Sequence, residues 1–518
     1  MNEKETGSFY TPVSLIDFMV KYVKNRITPK TILEPSAGDG RFVPQLRVFG
    51  AQVSLAEFVE DKAKHLMTTF GDECKVHCCD FIEYSLDNHE TYDLIIGNPP
   101  YISKKNVPEE QCISSEKLLK YFKLDKSIFQ NLWVSFVLSS LKLVSPNGAI
   151  FFVLPFEFLQ VQYAEKLRAF LETKFNTIEI ITFEDRIFDE IEQDICLVYL
   201  SNEAQAKSYI QYSTLRNPES PNPIFQSVIM RNKPLKKWSN CILNDEETEN
   251  LLQLAGKFPR VAEFGDISPG IVTGANSFFI LPKNEIDALH LPEENIVPII
   301  TKSSVIPSLL SLNLSDFEKT YSEKHRTHLM NLNGLDHKDF SPELLAYISQ
   351  GETKQINEGY KCKKRKRWYD VPITKRGEAC FFKRYHMLPR ILINQAKLQS
   401  TDVIYNIRFK EGYDAKSFAF CFYNSLTLVL CEYNGRFYGG GVGELVPSEF
   451  KQLRIPYKKV EDKHIRMLDE MLRNKTEISA IIDYVDSIAL SGLADEDIRI
   501  LQHIRSRYLK RRLKLAID

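Results

Sequence analysis

The first 200 residues alternate short apolar segments with amphipathic ones, and this restricts the fold more than any other feature of the chain. Seven apolar segments have the length of strands, and residues 12–25 and 128–143 have the spacing of helices. Strands that alternate with helices predict an α/β fold, with a mixed, mainly parallel sheet covered by helices on both faces. The predicted strands are TILEP, QVSLAEF, KVHCCDF, YDLIIGN, GAIFFVLP, TIEIITF and DICLVYLS.

Length and composition fit a protein of two or three domains. The chain has 518 residues, of which 43% are hydrophobic and 26% charged. No apolar run reaches the ~20 residues of a membrane span, and the first residues are polar, so we expect a cytoplasmic protein without a signal peptide. Ten cysteines are scattered without a CxxC pair, which argues against a metal site and against disulfide bonds.

Positive charge is concentrated in one part of the chain, although the net charge is only -1. Between Gly351 and Arg390, twelve lysines and arginines stand against four acidic residues. A block of this kind indicates either a surface that binds an anion or a solvated loop.

Acidic residues stand at the ends of three successive predicted strands. Glu34 precedes the small-residue turn SAGDG, Glu57 ends the second strand, and Asp80 ends the third beside Phe81. Open α/β sheets bind ligands at the carboxyl ends of their strands, and the separation of Gly38 from Glu57 matches the ~20 residues typical of an acid that binds ribose hydroxyls. Asp80 can accept from an adenine amino group while Phe81 packs on the ring. Each acid alone would be an ordinary strand terminus, but together they predict one ligand site.

The fourth predicted strand runs into the sequence NPPY at residues 98–101. Two prolines remove two backbone donors and end the strand. Asn98 offers an amide oxygen and Pro99 a carbonyl oxygen, and two fixed acceptors can hold both hydrogens of a planar exocyclic amine. Such bonds favour an amine whose lone pair is available, and Tyr101 supplies a ring for stacking. The alternative is a strand-ending turn with a buried tyrosine.

The motifs FYTP, EPSAGDG, DF and NPPY, together with Glu57, occur in the order found in S-adenosylmethionine-dependent amino-methyltransferases. The chain resembles the gamma class of adenine-N6 DNA methyltransferases. The resemblance implies a Rossmann-like methyltransferase domain with a mixed, mainly parallel seven-stranded sheet, followed by an α+β target-recognition region with a helical C-terminus. We expect a catalytic domain at 1–210, a linker at 211–235, a DNA target-recognition domain at 236–460 and a C-terminal helical segment at 461–518.

The resemblance also implies roles for individual residues. The cofactor S-adenosylmethionine would contact Tyr10, Thr11, Glu34, Ser36, Gly38, Asp39, Glu57, Asp80, Phe81 and Asn98. The target base would be held by Asn98, Pro99, Pro100, Tyr101 and Phe188. For Phe188 the alternative is an ordinary core phenylalanine.

The implied reaction is methyl transfer to N6 of adenine in double-stranded DNA. The adenine must leave the duplex, at a cost of roughly a few kcal/mol. Because the basic block follows a base-modifying domain, we expect it to bind DNA, and a cognate restriction endonuclease would be a further partner; we expect no metal and no membrane. The expected DNA contacts are Lys363, Lys364, Arg365, Lys366, Arg367, Trp368, Lys383 and Arg384.

Two other functions are compatible with the same motifs. An NPPY methyltransferase that acts on RNA or on a glutamine side chain of a protein would bind the same planar amine, but the long extension with basic blocks argues against it. A nucleic-acid-binding protein that has lost catalysis is the second alternative, and the intact acids and NPPY argue against that.

Overall fold

The chain divides into two units. The first runs to Glu249 and also includes Tyr438–Gly441 and the residues from Lys510, whereas the second comprises Asn250–Phe437 and Val442–Leu509. The structure is a computed structural model, and it describes residues 10–188, 194–202, 208–230, 234–320 and 325–514.

One sheet of nine strands forms the centre of the first unit. The strands are β1 (Thr31–Glu34), β2 (Gln52–Glu57), β3 (Cys74–Cys78), β4 (Tyr92–Gly97), β5 (Val144–Pro155), β6 (Thr177–Phe183), β7 (Ile195–Ser201), β8 (Tyr209–Leu215) and β9 (Phe225–Met230). The helices are α1 (Val13–Lys24), α2 (Val43–Leu46), α3 (Glu60–Phe70), α4 (Phe81–Asp87), α5 (Glu109–Tyr121), α6 (Trp133–Leu143) and α7 (Glu165–Lys174). The apolar face of α1, with Ile16 and Met19 fully buried, packs in one core with residues of the sheet such as Ile96.

The order of the sheet is β3-β2-β1-β4-β5-β7-β6-β8-β9. Strands β3, β2, β1, β4 and β5 run parallel, β7 lies antiparallel between β5 and β6, and β8 is parallel to β6 and antiparallel to β9. All seven predicted strands form, which confirms the α/β fold with a mixed, mainly parallel sheet. The sheet is larger than predicted, because β8 and β9 add two strands to the expected seven.

The segment predicted as a linker, 211–235, contributes to this sheet instead. Most of β8 and all of β9 lie within it, and the two strands pair from Tyr209 opposite Met230 to Thr214 opposite Phe225. The prolines that favour a linker lie in the turn at 216–224. Residues of the flanking strands such as Tyr212 are fully buried. The polar composition of the turn therefore predicts a linker where two strands form.

Two glycines shape the turn that follows β1. Gly38 has φ +58° and Gly40 has φ +78°, a left-handed conformation that glycine adopts without steric cost. A Cβ atom on Gly40 would also lie 2.6 Å from a ring carbon of Phe70. The chain therefore turns tightly from β1 towards α2, at the edge of the sheet where the carboxyl ends of β1, β2 and β4 lie side by side.

The second unit combines three smaller sheets with helices. The remaining strands are β10 (Gly265–Pro269), β11 (Ile280–Leu281), β12 (Ile296–Ile300), β13 (Ser311–Leu312), β14 (His328–Met330), β15 (Ala379–Phe382), β16 (Arg384–Tyr385), β17 (Ile391–Asn394), β18 (Gln399–Ser400), β19 (Ile404–Phe409), β20 (Arg436–Tyr438) and β21 (Val442–Glu444). The sheets have the orders β10-β19-β15-β17-β13, β11-β14-β12-β18 and β16-β21-β20.

Helices account for the rest of this unit and for the end of the described chain. They are α8 (Asp245–Gly256), α9 (Asn276–Phe279), α10 (Lys283–Asp287), α11 (Leu314–Glu318), α12 (Pro342–Thr353), α13 (Ala415–Phe422), α14 (Ser425–Asn434), α15 (Pro447–Gln452), α16 (Asp462–Arg473), α17 (Ile478–Ala489) and α18 (Asp495–Leu513). Short mixed sheets with three successive helices at the end confirm the α+β region with a helical C-terminus.

None of the described helices is both long and apolar enough to cross a bilayer. The ten cysteines are free thiols. Among the described residues, no group of three or more potential metal ligands occurs.

Candidate active site

A cavity of about 220 Å³ lies at the carboxyl ends of β1, β2 and β4. Ten of the predicted site residues line it, and they come from five separate stretches of sequence. These are Tyr10, Thr11, Glu34, Ser36, Gly38, Asp39, Glu57, Phe81, Asn98 and Pro100.

The backbone fixes the carboxylate of Glu57. One oxygen accepts from the N–H of Gly38 at 2.8 Å, and the other accepts from the N–H of Val59 at 2.9 Å. Since a carboxylate oxygen has more than one lone pair, each can accept a further bond from a ligand. The side chain is oriented in advance for hydroxyl donors.

Glu34 is the most deeply buried acid of the cavity, with 2% of its surface exposed. Burial, together with the nearby carboxylates of Asp39 and Glu57, raises its pKa well above the usual value. No described residue donates a hydrogen bond to its Oε2 atom. A buried carboxyl oxygen without a donor fits a ligand that brings positive charge or hydroxyl groups.

The end of β4 lies directly against the turn after β1. A Cβ atom on Gly97 would be 3.3 Å from Pro35 and 3.6 Å from Glu34, so glycine permits this close approach. The Ser36 hydroxyl then donates to the backbone carbonyl of Asn98 at 3.1 Å. These contacts hold the NPPY segment at the cavity.

Three residues predicted to hold the target base lie outside the cavity lining, namely Pro99, Tyr101 and Phe188. The Tyr101 hydroxyl donates to the carbonyl of Val153 at 3.1 Å, and burial raises its pKa well above the usual value. Phe188 is 8% exposed and belongs to the apolar core beside Phe183. Base stacking by Tyr101 and Phe188 stays a prediction.

Asp80 also lies outside the cavity lining, although its neighbour Phe81 is part of it. The Asp80 carboxylate caps α4 by accepting from the N–H of Ile82 at 2.8 Å. Gln111, at the start of α5, lines the cavity and hydrogen-bonds to Asp80. The sequence gives no sign of Gln111, because it lies in a polar segment 31 residues after Asp80.

Further lining residues stand next to predicted motifs. Arg41 follows the turn SAGDG, Phe58 follows Glu57, and Lys62 lies on the first turn of α3. Phe58 is 58% exposed, which leaves its ring accessible to a ligand in the cavity. In the sequence, these three residues could have been proposed as site residues because each lies within a few positions of a predicted acid.

Comparison with known proteins gives two matches that together cover most of the chain. Residues 52–188 match the model of the family "Eco57I restriction-modification methylase", and residues 235–490 match "Type II methyltransferase M.Eco57I, C-terminal domain". The Type II methyltransferase M.AccI of Acinetobacter calcoaceticus is 22% identical over 94% of this chain and 93% of its own length. M.XamI of Xanthomonas campestris pv. amaranthicola is 20% identical over 87% of this chain and 85% of its own. The chain belongs to these restriction–modification methyltransferases.

The gamma-class methyltransferase predicted from the motifs is therefore confirmed. The protein is a DNA methyltransferase of the restriction–modification type, and its cofactor is S-adenosylmethionine. Among solved structures, the Type IIL restriction-modification enzyme MmeI in complex with DNA has a TM-score of 0.59, covering 96% of this chain and 75% of that one at 12% identity. This likeness shows a shared fold.

In the second unit of the methyltransferase, the arginines of the basic run, residues 361–367, bind their own unit. Arg365 donates to the carbonyls of Val272 at 3.0 Å, Thr273 at 2.6 Å and Trp368 at 3.2 Å. Arg367 binds two further carbonyls and one carboxylate. These guanidinium groups contribute to local folding.

Three other predicted DNA contacts also have partners within that unit. The Trp368 indole donates to Glu352 at 3.1 Å, and its ring packs against the apolar core. Lys383 and Arg384 both pair with Glu444, at 3.2 Å and 2.7 Å.

The lysines of the run remain at the surface of the methyltransferase. Lys361, Lys363, Lys364 and Lys366 are all exposed. Lys363 forms a surface ion pair, and the Lys364 ammonium lies 4.0 Å above the ring of Tyr360. Exposed ion pairs of this kind are weak, so these lysines can exchange their partners for phosphates.

Proposed function

We propose that the protein is a site-specific adenine-N6 methyltransferase that acts on double-stranded DNA and flips its target adenine out of the helix. The supporting observation is that Asn98 and Pro100 share one cavity with the strand-end acids Glu34 and Glu57. An acceptor for an amine, Asn98, thus lies beside acids that suit a nucleoside-bearing, cationic cofactor.

The acids and small residues of the cavity hold the cofactor in this proposal. Glu57 accepts from the ribose hydroxyls, Phe81 packs on the adenine ring, and Asp80, hydrogen-bonded to Gln111, accepts from the adenine amino group. The remaining contacts are those of Tyr10, Thr11, Glu34, Ser36, Gly38, Asp39 and Asn98. S-adenosylmethionine supplies an electrophilic methyl group.

The NPPY segment positions the target amine. The Asn98 amide oxygen and the Pro99 carbonyl accept its two hydrogens, and the bond from Ser36 to the Asn98 carbonyl keeps this segment rigid. A neutral amine needs no general base before it attacks, so catalysis comes mainly from alignment and from fixed dipoles. Tyr101, anchored through its hydroxyl, stacks on the flipped base with Phe188.

The second unit binds the duplex. Residues 236–460 form the target-recognition domain in this proposal, and the exposed lysines contact phosphates while other groups read the bases. A cognate restriction endonuclease that cuts the same unmodified sequence is the proposed partner. A cytoplasmic location follows from the DNA substrate.

Incubation with S-adenosylmethionine carrying a labelled methyl group tests the proposal. Unmodified genomic DNA, RNA and protein are offered separately, and the products are digested and analysed by mass spectrometry. We expect N6-methyladenine in DNA at a fixed sequence. Label in N4-methylcytosine, in RNA or in glutamine would overturn the substrate assignment, and DNA binding without any label would identify an inert relative.

A further inference from the structure

The cavity holds more acids than bases, although its cofactor carries a carboxylate. Glu34, Asp39 and Glu57 are its acids, and Arg41 and Lys62 are the cations among the described lining residues. The methionine part of S-adenosylmethionine has an α-carboxylate as well as an α-ammonium group. A carboxylate placed in an acid-lined cavity is repelled unless a cation faces it.

Arg41 is held rigidly at the cavity by two neighbours. Its Nε and Nη2 atoms donate to the Asp39 carboxylate at 3.0 Å and 2.7 Å, and its Nη1 atom donates to the Thr11 carbonyl at 3.1 Å. The guanidinium carbon lies 4.6 Å from the centre of the Tyr10 ring. A guanidinium has five N–H groups, so hydrogens on Nη1 and Nη2 remain without an acceptor among the described residues.

Lys62 is the alternative cation. Its ammonium lies 5.4 Å from the centre of the Tyr10 ring, but no described acceptor fixes it. A guanidinium forms two parallel bonds to a carboxylate, whereas an ammonium acts as a point charge on a flexible stem. The fixed fork of Arg41 is therefore the better match for a carboxylate.

We propose that Arg41 binds the α-carboxylate of S-adenosylmethionine. Asp39, paired beside it, presents the opposite charge to the α-ammonium group, so the two side chains together complement a zwitterion. Through the Thr11 carbonyl, Arg41 also ties the segment at Tyr10 and Thr11 to the bound cofactor. This inference rests on the proposed cofactor site.

Calorimetric binding of two thioethers to the full chain tests this role. One is S-adenosylhomocysteine and the other is the same molecule without its carboxylate. We expect the wild type to bind the first about 10- to 100-fold more tightly, as for hydrogen bonds to charged groups. Arg41→Met should remove that preference by weakening only S-adenosylhomocysteine, and Arg41→Lys, which keeps the charge without the fork, should reduce it.

Arg47→Met is the matched control. Arg47 forms an exposed pair with Glu73 at 2.7 Å and does not line the cavity, so both affinities should stay unchanged. Equal weakening of both ligands by Arg41→Met would overturn the inference, and so would loss of the preference in Lys62→Met but not in Arg41→Met. Glu57→Ala distinguishes this result from an error in the proposed cofactor site itself. If the cofactor binds elsewhere, Glu57→Ala leaves the affinity for S-adenosylhomocysteine unchanged.

Discussion

The strand-end acids of the first unit and the basic run of the second are both dense clusters of charge, and the fold uses them differently. Glu34 and Glu57 face one cavity, because parallel strands deliver their carboxyl ends to the same edge of the sheet. In the basic run, residues 361–367, positive charge alone does not determine whether a side chain points into solvent or binds its own unit. The arginines bind carbonyls, while lysines such as Lys366 stay in solvent. A strand end thus constrains function more closely than a charged loop does.

Asn98→Ala is the strongest test of the claim that the strand ends of the first unit form the active site. Removal of one fixed acceptor at the reacting amine should lower the rate of methyl transfer about 100- to 1000-fold, the usual effect of losing one preorganised polar group. The affinity for S-adenosylhomocysteine should fall far less than the rate, because the acids and the other contacts still hold the cofactor. Single-turnover kinetics and calorimetry measure the two effects separately.

The exposed Asn25 supplies a matched control for that variant. Asn25→Ala removes the same group far from the NPPY segment in sequence and should leave both quantities unchanged. Methyl transfer by Asn98→Ala at the wild-type rate would show that the end of β4 is a structural turn.

Neutralisation of the four exposed lysines tests whether the basic run of the second unit binds DNA. Replacement of Lys361, Lys363, Lys364 and Lys366 by glutamine should weaken DNA binding about 100-fold at low salt and reduce the log–log salt slope by up to about 3.6, at roughly 0.9 per phosphate contact. Fluorescence anisotropy over a salt series measures both.

Four exposed lysines of the same unit outside the run provide the control. They are Lys257, Lys410, Lys463 and Lys475. Their replacement by glutamine should change the slope less. Equal slopes for the two quadruple variants would mean that the basic run is ordinary solvated surface.

The sequence predicts those parts of the molecule whose positions follow from local residue pattern and from the direction of the parallel strands. The seven strands, the turn at Gly38 and the acids at Glu34 and Glu57 all follow from local pattern and strand order. The partners of Arg365 and the position of Gln111 depend on loops that approach each other only in the folded chain. Strands β8 and β9 are not predicted, because the proline-rich turn between them dominates the local composition.

Arg365→Met separates folding from DNA binding within the run. The variant keeps the apolar stem but leaves three carbonyls without their donor, so the free energy of unfolding should fall by about 1–3 kcal/mol. Urea denaturation measures this change. Arg376→Met, at an exposed loop position, is the control and should leave stability unchanged. A normal unfolding midpoint with a reduced salt slope in Arg365→Met would assign this guanidinium to DNA.

The smallest expected effect concerns protons at Glu34. Its raised pKa keeps the carboxyl group protonated to higher pH than an ordinary glutamate, and a cationic ligand beside it favours the ionised form. Binding of S-adenosylmethionine should therefore release a proton, and affinity should rise with pH by at most about tenfold per unit until Glu34 is ionised in the free protein. Calorimetry in buffers of different ionisation enthalpy counts the released protons. Glu34→Gln should abolish the release. Proton uptake by the wild type would show that a group other than Glu34 determines the proton exchange that accompanies binding.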